Sequence, residues 1–537
     1  DGNDPVDITP IRQVTSAGDV TFAAANGSTT ITVTDTNNDV FLNDFVTFSG
    51  AASLGGTITA AVLNKEYQVV SVVDASNYTI TSAVAANASD TGNGGGSTVG
   101  TYQINTGLDS SASGSGWGAG PYSRGTWGSA ANVVIPGAQL RLWSMDNFGE
   151  DLIANVRGGG IYYWDTSAGA SARAVDITSL SGNNQPQAAN IVLVSERDRH
   201  VIAFGCDPQG DPGVLDPLTV RFSSQESVTD WQARADNTAG ELRIGTGSEI
   251  ITAVQTKQQV VVFTDRSVSA MQFIGAPFTF GLTEVSTNTS IASQNAAVAF
   301  GDVVYWMGDE VFYMYDGNVK LIPCPVEEYI FDNLNLDQRA KVTAGVNSKF
   351  NEIWWFYPSL NSNNNDSYVV YNYAEKSWYY GTLTRTAWQD NALSSLPIAA
   401  ATDGYLYFHE DGLDDGSTNP ASPIDSYVQS SAIDIGDGDQ FMFLSRVLPD
   451  LTFRNSTATT PAATFTVSAR DFPGANFTQT DVGTTERTAT VPVEQFTDQL
   501  FFRLRGRSMA LKIGANTLGT QWRLGTPRAD VRPDGRR

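Results

Sequence analysis

The sequence predicts an all-β protein, and three observations carry this prediction. Gly is abundant, with 50 residues among 537, and there are 11 Trp, 19 Tyr and 26 Phe. Charged residues make up only 17% of the chain, a composition typical of short strands and many turns rather than of helical bundles. Runs of β-branched and aromatic residues also recur along the chain, separated by short polar breaks.

Residues 301–320, GDVVYWMGDEVFYMYDGNVK, show this pattern most clearly. Two apolar runs, 303–306 and 311–315, flank the polar break at 308–310. Large β-forming side chains on both sides of a short polar break predict an antiparallel hairpin. We expect its aromatic side chains to pack against neighbouring elements rather than to form a binding box.

Similar strand pairs recur at a loose period. They begin near Leu152, Val201, Val261, Val303, Ile353 and Tyr405. A β-unit that returns at roughly 40–50 residues is typical of a β-propeller, in which each blade is a small antiparallel sheet. The sequence therefore predicts a propeller of about six blades over residues 136–424, with unrelated hairpins in a sandwich as the alternative. One connecting helix is expected at 326–336.

Two regions outside the repeat have a different character. Residues 18–104 alternate Thr and Val with period two and are predicted to form a small β module, inserted between an N-terminal arm at 1–17 and the rest. A Gly/Ser-rich loop containing aromatic residues is expected at 105–135. Residues 425–537 are predicted to form a C-terminal β-sandwich-like domain that ends in a basic tail.

The chain contains few of the residues that catalytic triads, metal sites or membrane segments require. It contains two His and two Cys, with Cys206 and Cys324 in no metal-ligand spacing, so a catalytic triad or a histidine metal site is disfavoured. The acid-rich turns at 409–417 and 434–440 do not follow the known calcium-loop patterns. We expect no cofactor and no metal. No apolar run of about 18 residues occurs, so no membrane segment is expected.

The charge is strongly acidic overall but reverses at the end of the chain. The formal charge is −25, which disfavours a surface that holds phosphates or anionic lipid. Residues 501–537 instead contain eight Arg and one Lys against Asp530 and Asp534, a net charge of +7. The other 500 residues therefore carry −32.

Within this tail the stretch 502–507, FRLRGR, alternates strictly. Successive side chains of a strand point to opposite faces, so three arginines should share one face while Phe502 and Leu504 enter the core. Three adjacent guanidinium groups need anions. We predict carboxylates of the same or a neighbouring subunit, with a phosphate backbone or a solvated face as alternatives. This interface hypothesis comprises Arg503, Arg505, Arg507, Asp434, Asp437 and Asp439.

Several phrases of the sequence resemble a known family. They are VRFSSQESVTDW (220–231), GAPFTFG (275–281), VVYWMGDEVFYMYDG (303–317), AGVNSKFNEIWWFYPS (344–359), YVVYNYAEKSWYYGTLTRTAW (368–388) and the tail FRLRGRSMALKI with TQWRLGTPRADVRPDGRR. Over about residues 120–537 the chain resembles the tail-tube, or nozzle, proteins of short-tailed bacteriophages. The resemblance implies a propeller with added β domains, assembled as a hexameric ring below the adaptor ring.

The expected function is therefore that of a virion protein of a podovirus tail, without enzymatic activity. The resemblance implies that the hexameric ring conducts DNA during ejection without binding it specifically, and that it docks adaptor and tail fibre or spike proteins. An acidic wall fits this role because it repels phosphates. One alternative is a propeller that recognises host surface glycans. Another is a glycan-degrading propeller enzyme, for which the sequence indicates no particular carboxylate pair.

Overall fold

The computed structural model describes residues 6–36, 38–87, 93–111, 140–391, 395–472 and 487–536. Their regular structure is almost entirely β-strand, which confirms the predicted class. The chain divides into two units, Asp1–Leu406 and Tyr407–Arg537, so the predicted boundary at 424/425 lies inside the second unit. In the described residues no helix is long and apolar enough to cross a membrane. The predicted loop at 105–135 falls largely on 112–139, outside the described residues.

The start of the first unit is a β module of two four-stranded sheets. Its strands are β1 (Ile11–Val14), β2 (Thr21–Ala24), β3 (Thr30–Thr34), β4 (Phe45–Ser49), β5 (Glu66–Gln68), β6 (Ser71–Asp74), β7 (Asn77–Thr81) and β8 (Val99–Gln103), with helix α1 (Ala60–Leu63) between β4 and β5. The sheet orders are β1-β8-β4-β5 and β2-β3-β7-β6. In β3 the alternation of Thr and apolar residues buries Ile31 and Val33 in the module core. Strand β1, within the predicted arm, is part of this module.

A buried polar network lies inside the module. The Asp44 carboxylate is almost fully buried; it accepts a hydrogen bond from the Phe41 N–H at 2.9 Å and lies 3.8 Å from the Arg12 guanidinium. Nearby, Tyr102 donates to the buried Asp35 carboxylate at 2.8 Å. Burial raises the pKa of Asp44 to about 6, although the Phe41 N–H and Arg12 act to lower it. The folded module therefore bears a cost for keeping Asp44 ionised at neutral pH.

This cost predicts a pH dependence of module stability. An unfolded Asp has a pKa of about 3.9, so between about pH 4 and 6 the folded module holds a proton at Asp44 that the unfolded chain releases. The contribution of Asp44 to the free energy of unfolding is therefore fully present near pH 4, and it is lost as the pH rises through about 6. We expect Asp44→Asn to stabilise the module by about 1–3 kcal/mol at pH 7.5, with no gain near pH 4.

Hydrogen exchange of peptides that cover β4 and β7, corrected for intrinsic rates, measures this difference in the full chain. Asp39→Asn is the matched control, because Asp39 lies on the same loop with an exposed side chain. A gain in protection that is the same at pH 4 and pH 7.5 would contradict the assignment to the Asp44 charge.

Six consecutive antiparallel sheets follow, as the strand-pair repeat predicts. The strands of the first three sheets are β9 (Trp143–Phe148), β10 (Asp151–Val156), β11 (Ile161–Trp164) and β12 (Val175–Asp176); β13 (Ala189–Val194), β14 (Val201–Cys206), β15 (Thr219–Phe222) and β16 (Gly240–Arg243); β17 (Ile250–Gln255), β18 (Val260–Thr264), β19 (Ser267–Gly275) and β20 (Thr279–Thr287). Short 3-10 helices occur at Thr166–Ala168 and Ile177–Ser179. Each sheet pairs its strands in chain order, which is the blade pattern of a propeller.

The later sheets continue the series. Their strands are β21 (Ala297–Phe300), β22 (Val303–Met307), β23 (Phe312–Tyr315) and β24 (Val319–Ile322); β25 (Thr343–Asn347), β26 (Glu352–Tyr357), β27 (Ser367–Asn372) and β28 (Ser377–Thr382); β29 (Ala387–Gln389), β30 (Ile398–Ala400) and β31 (Leu406–Phe408). The sixth sheet has three strands, and within the described residues no strand from elsewhere joins it. The fold is therefore propeller-like, with about six blades, and in the described part of the chain strand pairing does not close the series into a ring.

The first strands of successive sheets lie beside one another, from β9 through β13, β17, β21 and β25 to β29. Arg157, just after β10, crosses from the first sheet to the third, where its guanidinium donates to the Ile251 carbonyl at 3.0 Å and pairs with Glu249 at 3.4 Å. It also donates to Gln294, which in turn donates to the Trp143 carbonyl at 3.2 Å. Arg157 and Gln294 thus connect β9 and β17 through side-chain hydrogen bonds.

The aromatic hairpin at 301–320 forms β22 and β23 and packs between sheets, as expected. Trp306 is fully buried, and its ring meets Phe263 of the third sheet at 4.9 Å between centroids. Phe312 contacts Trp355 of the fifth sheet at 5.0 Å. The predicted helix at 326–336 is shorter than expected: α2 covers Glu327–Asp332, and Asn335 caps a separate 3-10 helix at Leu336–Lys341. A further 3-10 turn occupies Ser348–Phe350.

The second unit is a β-sandwich, in agreement with the predicted C-terminal domain. Its strands are β32 (Asp414–Asp415), β33 (Ser422–Pro423), β34 (Ser426–Gln429), β35 (Ile433–Asp434), β36 (Met442–Leu448), β37 (Leu451–Thr452), β38 (Ala462–Arg470), β39 (Arg487–Glu494), β40 (Leu500–Gly506), β41 (Ser508–Ala515), β42 (Arg523–Leu524) and β43 (Arg528–Pro533). One sheet has the order β34-β41-β38-β39, with β35 also paired to β41, and the other is β40-β36-β43. Leu444, Leu504, Phe465 and Ile513 belong to the shared core.

Candidate functional site

The arginine stretch predicted from the sequence lies on β40 of the second unit. Phe502 and Leu504 are buried in the sandwich core, and Arg503 is exposed on the opposite face. Arg505 also points away from the core and is partly covered. The predicted alternation is therefore confirmed for 502–505.

Arg507 departs from the predicted row of three. The chain leaves β40 at Gly506 and enters β41, in the other sheet, at Ser508. Gly506 lies so close to the opposite strand that a Cβ atom would stand 2.9 Å from the Ala469 side chain and 3.0 Å from the Arg470 carbonyl. Arg507 therefore occupies the connection between two sheets, and its guanidinium donates to the carbonyls of Gly438, Asp439 and Arg536 at 2.9–3.1 Å.

Arg505 is held by partners within the second unit. Its Nε donates to the Asp534 carboxylate at 2.6 Å, and its Nη2 donates to the Asp534 carbonyl at 3.0 Å. Its guanidinium also lies 4.0 Å from the centre of the Phe441 ring, and that of Arg507 lies 4.8 Å from the same centre. Cation–π contact with a buried ring contributes about 0.5–2 kcal/mol. Within one chain, Phe441 thus contacts both arginines and Asp534 holds Arg505.

The three predicted acids take different roles. The Asp439 carboxylate pairs with Arg536 at 2.9 Å, and its carbonyl accepts from Arg507. Asp434 lies on β35, opposite Ser508 of β41, and Asp437 lies in a turn with a φ of 54°. Neither forms an ion pair with a residue that the structure describes. Of the predicted set, Arg507 and Asp439 are therefore brought together, through the backbone.

Sequence reasoning missed Phe441 and Asp534 as partners. In the sequence, Asp534 was counted only as a charge of the tail, and Phe441 lay within the predicted C-terminal domain at 425–537 without a role of its own. These contacts make Arg505→Glu a poor probe of assembly, because the new carboxylate would face Asp534 inside the same chain. Arg503 has no ion-pair partner in the described part and is the cleaner probe of the interface hypothesis.

His200 and both cysteines lie in the first unit and are buried or half-buried. His200 is buried among Phe222, Phe273 and Phe280, and its Nε2 lies 3.1 Å from the Thr238 hydroxyl. Burial lowers the pKa of His200, which favours its neutral form. Cys206 is buried and Cys324 half-buried, and they are not joined to each other. Among the described residues no three His, Cys, Asp or Glu side chains converge as metal ligands would.

An open pocket of about 190 Å³ lies beside the first sheet. Trp143, Tyr162 and Trp164 line it from β9 and β11, and Ile8 and Pro10 line it from the segment before β1. That segment is tied to the sheet by a hydrogen bond from the Ala174 N–H to the Ile8 carbonyl at 2.9 Å. The lining is largely apolar and aromatic, so the pocket suits stacking contacts rather than acid–base chemistry.

The similarity of this chain to known proteins is low. No family model matches the chain, and no curated protein matches it. Among solved structures, two crystal structures of the extracellular domain of BT4673 from B. thetaiotaomicron are similar, each with 11% identity and a TM-score of 0.32 over 50% of this chain. PorZ, a surface component of the type-IX secretion system of Porphyromonas gingivalis, has 12% identity and a TM-score of 0.25 over 55%. The matches span 32%, 31% and 39% of those chains, respectively. At these values they carry no inference about function.

Proposed function

We propose that the chain is a structural virion protein that forms the hexameric tail tube, or nozzle, of a short-tailed bacteriophage. In this role the ring conducts DNA during ejection, and it docks the adaptor protein and the tail fibres or spikes. The role is mechanical and involves no catalytic step. The phrases of sequence that resemble nozzle proteins support this proposal, and many of them lie in strands of the propeller-like series.

The distribution of charge is the observation that carries the proposal. The chain has a formal charge of −25 while its C-terminal tail is basic. A ring of six copies multiplies the negative charge, and an acidic channel wall repels phosphates, so DNA passes without adhering. A basic surface on an acidic chain also favours contacts between unlike surfaces, which is the kind of interface that closes a ring.

In this proposal several copies enclose the channel for DNA, rather than one propeller. Arg157 donates to the Ile251 carbonyl of β17 and to Gln294, and Gln294 donates to the Trp143 carbonyl of β9. These hydrogen bonds tie strands of one propeller-like series together, which fits a channel formed between copies.

A second candidate function is recognition of host surface glycans. The pocket beside the first sheet, lined by Trp143, Tyr162 and Trp164, favours it because aromatic rings stack on apolar faces of ligands. A glycan array with the purified protein tests this candidate. If the protein stays monomeric and binds a glycan, and if Trp164→Ala abolishes this binding, glycan recognition is favoured over the nozzle role.

The mass of the assembled protein tests the nozzle proposal. We expect a species of six times 57.5 kDa in mass photometry or sedimentation velocity at micromolar concentration. Its formation should decrease at high salt, because salt screens contacts between charged surfaces. A protein that stays monomeric at every concentration and salt condition would contradict the proposal.

A further inference from the structure

The outer face of the sheet β40-β36-β43 carries a regular arrangement of arginine and phenylalanine side chains. Phe443 on the central strand lies opposite Arg505 on one side and Arg532 on the other. One row further, Arg446 lies opposite Phe501 and Asp530. Because Leu444, Leu504 and Leu500 point into the core, these side chains share the solvent face.

Two of the arginines on this face have carboxylate partners within the chain. Arg446 pairs with Asp530 at 2.7 Å, and Arg505 pairs with Asp534 at 2.6 Å. Arg503, Arg528 and Arg532 are exposed and form no ion pair with any residue in the described ranges. We call these three the free arginines. With both internal pairs counted as neutral, the face has a charge of about +3.

The apolar part of the face distinguishes an interface from a merely solvated surface. The Phe501 side chain is 72% exposed and shares the face with the free arginines. Exposed Phe beside unpaired Arg is the composition of protein interfaces, where both residue types are enriched. Arg also forms paired hydrogen bonds with carboxylates in a fixed geometry, which Lys does not.

A nucleic acid fits this face less well than an acidic protein surface. The Arg532 guanidinium lies 4.9 Å from the centre of the Phe443 ring, so a cation already covers the ring that a base would stack on. The chain as a whole, at −25, repels a polyanion. An acidic protein surface does not need the Phe443 ring, and its carboxylates can pair with the exposed arginines one by one.

We propose that this face docks on a carboxylate-rich surface of a second copy of the same chain. The inference rests on the proposed function and specifies one half of the ring contact. Outside 501–537 the chain carries −32, so a copy offers acidic surface to the free arginines. The same face cannot pair with itself across a twofold axis, since like charges would then oppose each other. The contact is therefore head-to-tail, which is the type that generates rings.

The experiment compares assembly of the wild-type chain with that of Arg503→Glu/Arg528→Glu. We expect the fraction of ring-sized particles in mass photometry to fall about tenfold or more, because two attractive contacts become repulsive. The matched control is Lys65→Glu/Lys257→Glu, which reverses two exposed cations of the first unit that form no ion pair with any residue in the described ranges. The control should assemble as the wild type does.

Each outcome decides between the two proposals. If the wild-type chain forms rings and Arg503→Glu/Arg528→Glu forms them equally well, the docking face is overturned and the nozzle proposal stands. If the wild-type chain never assembles, both proposals are overturned. Circular dichroism and thermal unfolding check that the variant is folded; if it is not, Arg503→Gln/Arg528→Gln gives the same decision with a smaller perturbation. Salt-dependent binding of a single-stranded oligonucleotide that the variant loses would assign the face to nucleic acid and overturn the inference.

Discussion

Replacing Trp355 with alanine is expected to destabilise the first unit by about 3–5 kcal/mol, the range for removing a buried aromatic side chain. Trp355 on β26 is fully buried, and its indole N–H donates to the Ala296 carbonyl at 3.0 Å. Its ring meets Phe312 of the fourth sheet and Trp378 of its own sheet. The substitution leaves a cavity between two sheets, and it removes one of the two hydrogen bonds that the Ala296 carbonyl accepts, the other coming from the Met307 N–H at 3.2 Å.

Urea denaturation followed by circular dichroism measures this loss as a shift of the transition midpoint. Trp355→Phe should destabilise the unit less than Trp355→Ala does, because it keeps most of the ring contacts. It should still be less stable than the wild type, because it loses the indole hydrogen bond. Phe278→Ala is the control for a large aromatic in an exposed position, at 70% exposure, and should change stability by less than about 0.5 kcal/mol. If Trp355→Ala were as stable as Phe278→Ala, the assignment of this ring to inter-sheet packing would be wrong.

Removing the Arg221 charge is expected to lower the free energy of unfolding of the first unit by a similar amount. Arg221 and Asp207 are both fully buried, with 3.8 Å between Nη1 and the carboxylate, and the guanidinium also donates to the carbonyls of Asp207 and Asn184. The Asp207 carboxylate accepts further from the backbone N–H groups of Gln187, Ala188 and Gly213. Arg221→Met leaves this carboxylate buried without its cation, at a cost of about 3–5 kcal/mol.

A double-mutant cycle separates the charge effect from simple loss of packing. Arg221→Met combined with Asp207→Asn should cost less than the sum of the two single changes, because the buried charge is then absent. Arg243→Met is the surface control; Arg243 pairs with Asp216 at 2.7 Å but is 60% exposed, so its loss should cost less than about 1 kcal/mol. Additive costs for Arg221→Met and Asp207→Asn would contradict a coupled buried pair.

The repeat of the fold could be predicted from the sequence because its signal is local. Runs such as 303–307 and 353–357 contain large β-forming residues between turn residues, and each run became a strand of one sheet. Period-two alternation likewise placed Phe502 and Leu504 in the core and Arg503 outside. These patterns depend on neighbours within a few residues, so no knowledge of the rest of the chain was needed.

The contacts of the candidate site depend on pairings that are distant in sequence. Arg505 faces Phe443 and Asp534 because β36 pairs with both β40 and β43, and no local pattern specifies those registers. Arg507 left the predicted row because the chain passes from β40 to β41, in the other sheet, at this point. Gly506 lies there against Ala469 and Arg470, a close approach that is visible only in the folded chain. The shortened helix at 327–332 has a local cause, since Asn335 caps a separate turn.

Electron microscopy of the purified protein in negative stain tests the nozzle proposal most directly. The account predicts rings with sixfold symmetry and a stain-filled central channel wide enough for a DNA duplex. It also predicts that such rings do not retain duplex DNA at physiological salt, because the wall is acidic. Monomers, closed dimers, or particles without a channel would contradict the account, as would a monomeric protein that degrades a host polysaccharide.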